Sequence, residues 1–252
     1  MSCIAVLGLG EAGGRLAADL AAAGSEVRGY DPAADPPEGV AAAAGPAEAA
    51  AGCGLVLCAA TAAAARAVVE GALPALERGA VYADLNSAAP ALKQELAGLV
   101  EAAGARFADV ALLGPVPVRG LRTPALASGS GAAAFAAALG PLGMPVEPVS
   151  GRAGDAAALK LLRSVFMKGL AAAALESLDA AGAAGQREWL ERELAGVIGA
   201  DLLARLVEGS RRHAARRVDE LDAASELLVS LGVEPRIAAA SRAVLADLGN
   251  LE

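Results

Sequence analysis

Aromatic side chains are close to missing from this chain: one Trp, two Tyr and three Phe make up 2% of its 252 residues. A core built without rings must rest on Leu, Val and Ala, with helices approaching closely over alanine surfaces, and alanine is also the best helix former. Histidine occurs once, and the three cysteines are an odd number without a C-x-x-C pair. That composition argues against a zinc site and a disulfide framework, and Cys3, Cys53 and Cys58 are expected to be buried, inert thiols. No metal is expected. A stretch of about 18 strongly apolar residues free of charge or glycine is also missing, which excludes a transmembrane helix. No basic segment precedes the apolar run that starts at Cys3, so no signal peptide is expected and the expected setting is the reduced cytoplasm. Basic residues are outnumbered, 21 Lys+Arg against 29 Asp+Glu, for a net charge of −8. Nucleic acid and anionic membrane are therefore not expected partners.

What the chain does have is a glycine-rich turn in an informative place. A short apolar run from Cys3 to Leu7 breaks into Gly8-Leu9-Gly10-Glu11-Ala12-Gly13 and enters an alanine-rich, helix-forming segment. A lone G-x-G-x-x-G says little. Between a strand and a helix, with Asp31 closing the next strand-like run Glu26 to Tyr30, it predicts a dinucleotide site. Gly8 allows the tight turn, Gly10 lets backbone approach a pyrophosphate on the N–H groups opening the helix, and Gly13 lets that helix pack against the sheet. Leu9, Glu11 and Ala12 complete the expected contact set, with the Glu11 side chain turned outward to avoid repelling phosphate. Asp31 is placed to accept hydrogen bonds from a ribose diol and would repel a 2′-phosphate, and Pro32-Ala33-Ala34 supply no arginine to bind one. NAD is the expected cofactor, with NADP disfavoured. Arg28 could interfere only by reaching round to the ribose.

The first 150 residues alternate strand and helix signals. Strands are expected at Cys3–Leu7, Glu26–Tyr30, Gly54–Cys58, Ala80–Leu85, Arg106–Ala111, Ala125–Ser128 and Val146–Pro148. Helices are expected at Ala12–Ala23, Pro46–Ala51, Ala62–Leu76, Pro90–Ala103 and Gly131–Leu139. This is the rhythm of an α/β, Rossmann-type doubly wound sheet over residues 1–150. From Gly151 the strand signals stop, and residues 151–252 read as an all-helical domain. Its opening helix, Ala153–Ala181, places Leu159, Leu162, Phe166, Leu170 and Ala174 near helical period. Arg187–Val197, Asp201–Val207, Arg211–Leu231 and Arg236–Leu248 follow. Trp189 is expected to anchor helix packing. The long helix would leave apolar surface exposed in a monomer, so a homodimer through these helices is expected.

Four segments carry candidate chemistry. Ala59, Ala60 and Thr61 follow the third strand at the carboxyl edge of the sheet, where ligands bind. Asn86 and Ser87 follow the fourth; they could hold a nicotinamide, or could cap the helix after Pro90. Gly114 and Pro115 lie in an irregular loop after the fifth strand. Lys160, Arg163, Ser164 and Lys168 recur at helical spacing on the opening helix of the second domain, with no acid between Asp155 and Glu176. They read either as solvated surface or as an anion-binding, proton-transferring site. Arg163 and Lys168, with apolar walls, are expected to push the Lys160 amine toward neutrality. His213 sits in the basic run Arg211–Arg217, which is either a solvated face balanced by Asp219, Glu220 and Asp222 or a contribution to an active site.

The Gly-Leu-Gly-Glu-Ala-Gly opening, the Asp84-Leu85-Asn86-Ser87-x-x-Pro90 segment, the Gly154-x5-Lys160 helix and the order of elements resemble the β-hydroxyacid dehydrogenase superfamily. That group includes 3-hydroxyisobutyrate and 6-phosphogluconate dehydrogenases, and the second half resembles a branch whose C-terminal domain has no assigned function. The resemblance implies an NAD-dependent oxidoreductase in which Lys160 matches the catalytic lysine and Asn86-Ser87 matches a segment near the nicotinamide. It implies a small anionic, hydroxyacid-like substrate held by Ser87, Gly114, Pro115, Arg163, Ser164, Lys168 and His213. Two departures bear on the substrate. Leu113-Gly114-Pro115 stands where members usually carry Ser-Gly-Gly, and Arg163 and Ser164 stand where they tend to carry asparagines. Imine reductases share the architecture but typically place aspartate or tyrosine where Lys160 stands; a dinucleotide-binding protein without turnover is the other alternative.

Overall fold

The computed structural model describes residues 3–249, which divide into two compact units with the boundary between Ala158 and Leu159. The first unit carries eight strands: β1 (Ile4–Leu7), β2 (Val27–Tyr30), β3 (Ala41–Ala42), β4 (Leu55–Cys58), β5 (Val81–Asp84), β6 (Arg106–Leu112), β7 (Ala125–Ser128) and β8 (Val146–Ser150). They form one sheet in the order β3-β2-β1-β4-β5-β6-β7-β8, parallel throughout except at the β6–β7 pair. The helices between them are α1 (Glu11–Ala22), α2 (Pro46–Ala50), α3 (Ala65–Ala72), α4 (Pro90–Ala102), α5 (Val116–Arg119) and α6 (Ala132–Leu139). The central strands are apolar on both faces, as a sheet covered on both sides requires. Ile4, Val6, Leu55, Leu57, Val81 and Ala83 join one core with Leu16, Leu20 and Phe135. Ala5, Leu7, Val56, Cys58, Tyr82 and Phe107 join the other with Val69, Leu96 and Val100. Burying a leucine such as Leu16 or Leu20 stabilises by about 1.5–3 kcal/mol.

The sheet order reverses at β1, which lies between β2 and β4. That is the switch point where a crevice opens beyond the carboxyl ends of the strands, and both the glycine turn and the Ala59–Thr61 segment leave the sheet there.

The second unit is helical: the greater part of α7 (Asp155–Ala183), then α8 (Arg187–Ile198), α9 (Ala200–Arg212), α10 (Ala214–Ser230) and α11 (Arg236–Gly249). Its core gathers Leu175, Leu178, Leu203, Val207, Leu221, Ala238 and Leu245. Among the described residues, no helix is long and apolar enough to cross a membrane.

Several local expectations are corrected. The run Arg211–Leu231 is not one helix: it breaks at His213, where φ −131° and ψ 34° separate α9 from α10. Asp201–Val207 grows to the thirteen residues of α9. The loop after β6 contains the single turn α5, started by Pro115 and Pro117 near its first positions. The two-residue β3 was missed because both its alanines are exposed and carry no alternation of apolar and polar positions. Trp189 is 54% exposed: on α8 the inward positions are Leu190, Leu194 and Ile198, and Trp189 lies one step off that stripe. The thiols are not three inert singletons. Cys3 and Cys53 form a disulfide between the start of β1 and the residue preceding the turn into β4, and Cys58 alone is a free, buried thiol. Spacing along the chain could not show this, because the two cysteines, fifty positions apart, meet only in three dimensions.

Candidate active site

The glycine turn is built as its chemistry demands. Gly8 has φ +94°, and a Cβ there would lie 2.6 Å from the Ala59 carbonyl oxygen and 2.8 Å from the Ala60 nitrogen. A Cβ on Gly13 would drive into the Gly8 carbonyl and sit 3.1 Å from the Ala59 side chain, so the start of α1 and the end of β4 press directly on the turn. Gly10 is different: nothing lies within 4 Å of its would-be Cβ. It is the N-cap of α1, so its open side faces the region where unpaired helix N–H groups attract an anion. Leu9 is buried, Ala12 half-buried, and Glu11 is exposed in the first turn of α1. A pyrophosphate fits this cradle, because of the glycines in the turn Gly10 is the one with free space, and it is the one that a phosphate would approach.

Asp31 does more than the motif predicts. One carboxylate oxygen accepts the Leu9 N–H at 2.7 Å, and the other accepts the N–H groups of Ala33 at 2.8 Å and Ala34 at 3.1 Å. Burial pushes its carboxyl upward, but these three backbone donors together hold it below the ordinary value. With about four lone-pair positions on a carboxylate, acceptor capacity remains for a diol. Arg28 is turned away, with Nη1 on the Ala51 carbonyl at 2.6 Å and Nη2 on Glu26 at 3.3 Å.

A row of residues in register across five strands, Leu7, Cys58, Asp84, Asp109 and Ser128, closes β1, β4 and β5 at their carboxyl ends and crosses the middle of β6. Here lies a cluster that sequence reading missed. Lys93 of α4 is fully buried, with Nζ 2.8 Å from the Asp84 carbonyl, 2.8 Å from Asp84 Oδ2 and 3.1 Å from Asp109 Oδ1. The ammonium donates to the Asp84 carbonyl and stands in ion-pair contact with both carboxylates, whose facing oxygens, Asp84 Oδ2 and Asp109 Oδ1, have no hydrogen-bond partner. Burial works against the charge, yet the two carboxylates raise the Lys93 amine above its ordinary value. The other oxygen of Asp109 accepts from Ser128 Oγ at 3.1 Å and from the N–H groups of Gly154 (3.1 Å) and Ala157 (3.0 Å), and Ser128 Oγ accepts the Ala156 N–H at 3.0 Å. Asp109 thus caps α7 from the sheet. Gly154, at φ +96°, presses on Pro90, where a Cβ would come within 2.8 Å of the carbonyl oxygen.

Asn86 hangs from the same cluster. Its Nδ2 donates to Asp84 Oδ1 at 2.5 Å and to Cys58 Sγ at 3.4 Å, while its buried Oδ1 has no hydrogen-bond partner. The capping alternative is not what forms: the N-cap of α4 is Ala89. Ser87 is exposed, Ala59 and Ala60 are half-buried, and Thr61 Oγ1 accepts the Ala64 N–H at 3.2 Å. Burial first, then the Asp84 charge, raises the Cys58 thiol and keeps it unreactive. Gly114 is half-buried and Pro115 exposed ahead of α5.

In the helical unit the lysine face is narrower than its spacing suggested. Ser164 and Lys168 are buried and Lys160 is half-buried, but Arg163 is exposed. At about 100° per residue, Arg163 and Lys168 stand about 140° apart. Nor is the face free of acid: Lys168 Nζ lies 2.5 Å from Glu220 Oε2 and 3.1 Å from Ser164 Oγ. Glu220 comes from α10, so the acid that balances the face was sought on the wrong helix. Lys168 is therefore an ion-paired residue rather than an open cation. His213 is exposed at the break between α9 and α10. A groove of about 530 Å³ opens between Leu178, Glu191, Ala195, Leu203 and Val207, and none of the candidate residues lines it.

The one signal that could have revealed both buried ammonium groups was the rarity of lysine. Only Lys93, Lys160 and Lys168 occur among 21 Lys+Arg residues.

Residues 3–139 match the family model for the NAD binding domain of 6-phosphogluconate dehydrogenase, and residues 181–248 match a domain of unknown function (DUF1932). An uncharacterized 28.5 kDa protein of Methanothermus fervidus is 30% identical over 158 residues, which span 62% of this chain and 61% of that relative. A conserved hypothetical protein of Sinorhizobium meliloti 1021 superposes with a TM-score of 0.77 at 30% identity, covering 98% of this chain and 88% of the other. The 3-hydroxyisobutyrate dehydrogenase of Mycobacterium tuberculosis, solved with L-serine, gives 0.83 at 20% identity over 99% and 94% of the two chains, a likeness of fold.

Proposed function

The chain belongs to the family of the NAD-binding domain of 6-phosphogluconate dehydrogenase, and from that premise we propose that it is an NAD-dependent oxidoreductase acting on a small anionic, hydroxyacid-like substrate. The observation that carries the reading is the glycine turn, in which Gly8 and Gly13 are closed by packing while Gly10 alone is open. Gly8 to Gly13 hold the pyrophosphate, Asp31 the ribose diol, and Ala59, Ala60, Thr61 and Asn86 the nicotinamide end. The unpartnered Asn86 Oδ1 suits an amide N–H donor.

The nicotinamide, when bound, supplies hydride exchange with the carbinol carbon. The remaining work is proton transfer and orientation. Lys160 takes the hydroxyl proton as the alcohol becomes a carbonyl, and returns it in the opposite direction. The substrate is assigned to Ser87, Gly114 and Pro115 of the first unit and to Arg163, Ser164, Lys168 and His213 of the second, with the exposed Arg163 offering a fork of donors to a carboxylate or phosphoryl group. Asp31 and the diverted Arg28 support NAD over NADP. The reading extends to a homodimer, because Leu159, Leu162 and Phe166 form an exposed stripe at i, i+3 and i+7 on α7.

The test is direct. NADH and NADPH dissociation constants are measured, and a panel of hydroxyacids, hydroxyphosphonates and sugar acids is screened for NAD reduction. Tighter binding of NADPH would overturn the cofactor assignment, and NADH binding without turnover across the panel would favour a non-catalytic binding protein.

A further inference from the structure

Glu220 is not explained by the functions assigned so far. It is a carboxylate of α10 with a side chain only 17% exposed, closed onto a lysine that is 9% exposed. Its two oxygens face different cations: Oε2 meets Lys168 Nζ at 2.5 Å, and Oε1 meets Arg216 Nε at 3.6 Å. Lys168 shares its ammonium with Ser164, which lies one turn from Lys160 on the same face of α7. Arg217, the next cation of α10, is diverted to Ser210 of α9 at 2.6 Å, and Arg242 of α11 to Asp222 at 2.5 Å. Arg217 nonetheless still feels the carboxylate, so the groups facing Glu220 are Lys168 and Lys160 from α7 and Arg216 and Arg217 from its own helix. Burial pushes the Glu220 carboxyl upward, but Lys168 first, then Lys160 and Arg216, hold it below its ordinary value.

The economy of lysine sharpens this. A chain that uses arginine for nearly all its positive charge keeps lysine for three interior or half-interior positions. There a compact ammonium with three donors fits a tight acceptor set that a planar guanidinium would not. Two of the three stand on this one face.

We propose that Glu220 is the positioning residue of the lysine site: its carboxylate clamps Lys168, fastens α10 to the Lys160 face of α7, and supplies the fixed negative charge against which the Lys160 amine gains and loses its proton. The proposal rests on the reading of Lys160 as the proton-transfer group. When the neutral Lys160 amine accepts the carbinol proton, a second ammonium appears on the face, and the Glu220 carboxylate offsets it. The two ammoniums and one carboxylate then carry a net positive charge, which an anionic substrate completes.

Three lysines make the test clean. Reductive dimethylation with ¹³C-formaldehyde gives at most three side-chain signals, assigned with single Lys→Met variants, and each is titrated by NMR in the full-length protein. Glu220→Gln is expected to lower the midpoint of the Lys160 signal by about one pH unit, the size of effect expected when an opposite charge at close range is removed. If Glu220→Gln does not fold, Glu220→Asp, which keeps the charge but draws it back by one methylene, is expected to lower the Lys160 midpoint in the same direction by a smaller amount. A Lys160 midpoint that stays within error, or rises, in a folded variant overturns the proposal. Failure of the proton-transfer reading shows separately: full turnover in Lys160→Met would remove that reading and leave the titration result as it stands.

Discussion

Lys93 in the sheet unit and Lys168 in the helical unit are both buried ammonium groups, but their surroundings are unbalanced in opposite directions. Lys93 faces two carboxylates, Asp84 and Asp109, and donates to the Asp84 carbonyl. Lys168 faces one carboxylate and one hydroxyl, and that carboxylate also serves Arg216 and feels Lys160. The first cluster carries an excess of negative charge and ties two strands to the starts of two helices. The second carries an excess of positive charge and stands beside a half-buried amine. One arrangement holds backbone in place; the other is where, on the proposed reading, an anionic substrate and its proton would be handled. The direction of the amine follows the surroundings: Lys93 is raised by its two acids, whereas burial draws Lys168 down against the pull of Glu220.

Removing each lysine should separate the two roles. The largest effect is expected at Lys160: Lys160→Met should lose about 10²–10⁴-fold in turnover on whichever substrate the panel identifies, with NADH affinity and melting temperature unchanged. Retention of most of the wild-type rate would end the assignment. Lys93→Met should do the reverse. It leaves two buried carboxylates facing each other and should cost about 3–5 kcal/mol of stability, measured by urea unfolding. A loss below about 1 kcal/mol, the range of exposed pairs, would mean that the cluster is not what holds the sheet edge.

Alkaline pH tests the same contrast more gently. Because the Lys93 amine is raised above its ordinary 10.5 on folding, its stabilisation is fully present below about pH 10.5. It is lost as pH rises through the folded value. Lys168, lowered on folding, has the opposite sign: its charged form is a cost, relieved as pH rises through its folded value. Unfolding free energy should therefore fall above about pH 10.5 in the parent, and the fall should be shallower in Lys93→Met, where the buried Tyr82 hydroxyl and Cys58 thiol, both raised on folding, still contribute. The smallest effect is expected at Asp31→Asn. Weakening the diol contact and the Leu9 N–H bond together should raise the NADH dissociation constant by about tenfold, the worth of one charge-assisted hydrogen bond, while narrowing the margin over NADPH.

The same contrast explains what could be read along the chain. The glycine turn, the strand order of signals and the long helix were legible because each depends on neighbours within a few residues. Gly8, Gly10 and Gly13 announce a turn whatever else the protein does. The Lys93 cluster was not legible, because Asp84, Asp109, Ser128 and Lys93 look like ordinary strand-end and helix polar residues until the register puts three of them in one row. Glu220 was hidden in the same way, fifty-two residues from the lysine it holds. The break at His213 was concealed by good helix formers on both sides, and the disulfide by the distance between Cys3 and Cys53 along the chain. Local signals gave the scaffold; the charged interior needed the fold.

The cap on α7 has a consequence in time as well as in space. The opening amides of a helix ordinarily exchange with solvent quickly, since no carbonyl within the helix takes them. Here the N–H groups of Gly154, Ala156 and Ala157 are held by the side chains of Asp109 and Ser128, both fully buried. Those side chains belong to β6 and β7, so releasing the amides means opening the sheet edge itself. Their hydrogen exchange should follow the slow clock of the strands rather than the fast one of a helix end. The helix that carries Lys160 then begins in one of the slowest-opening parts of the chain.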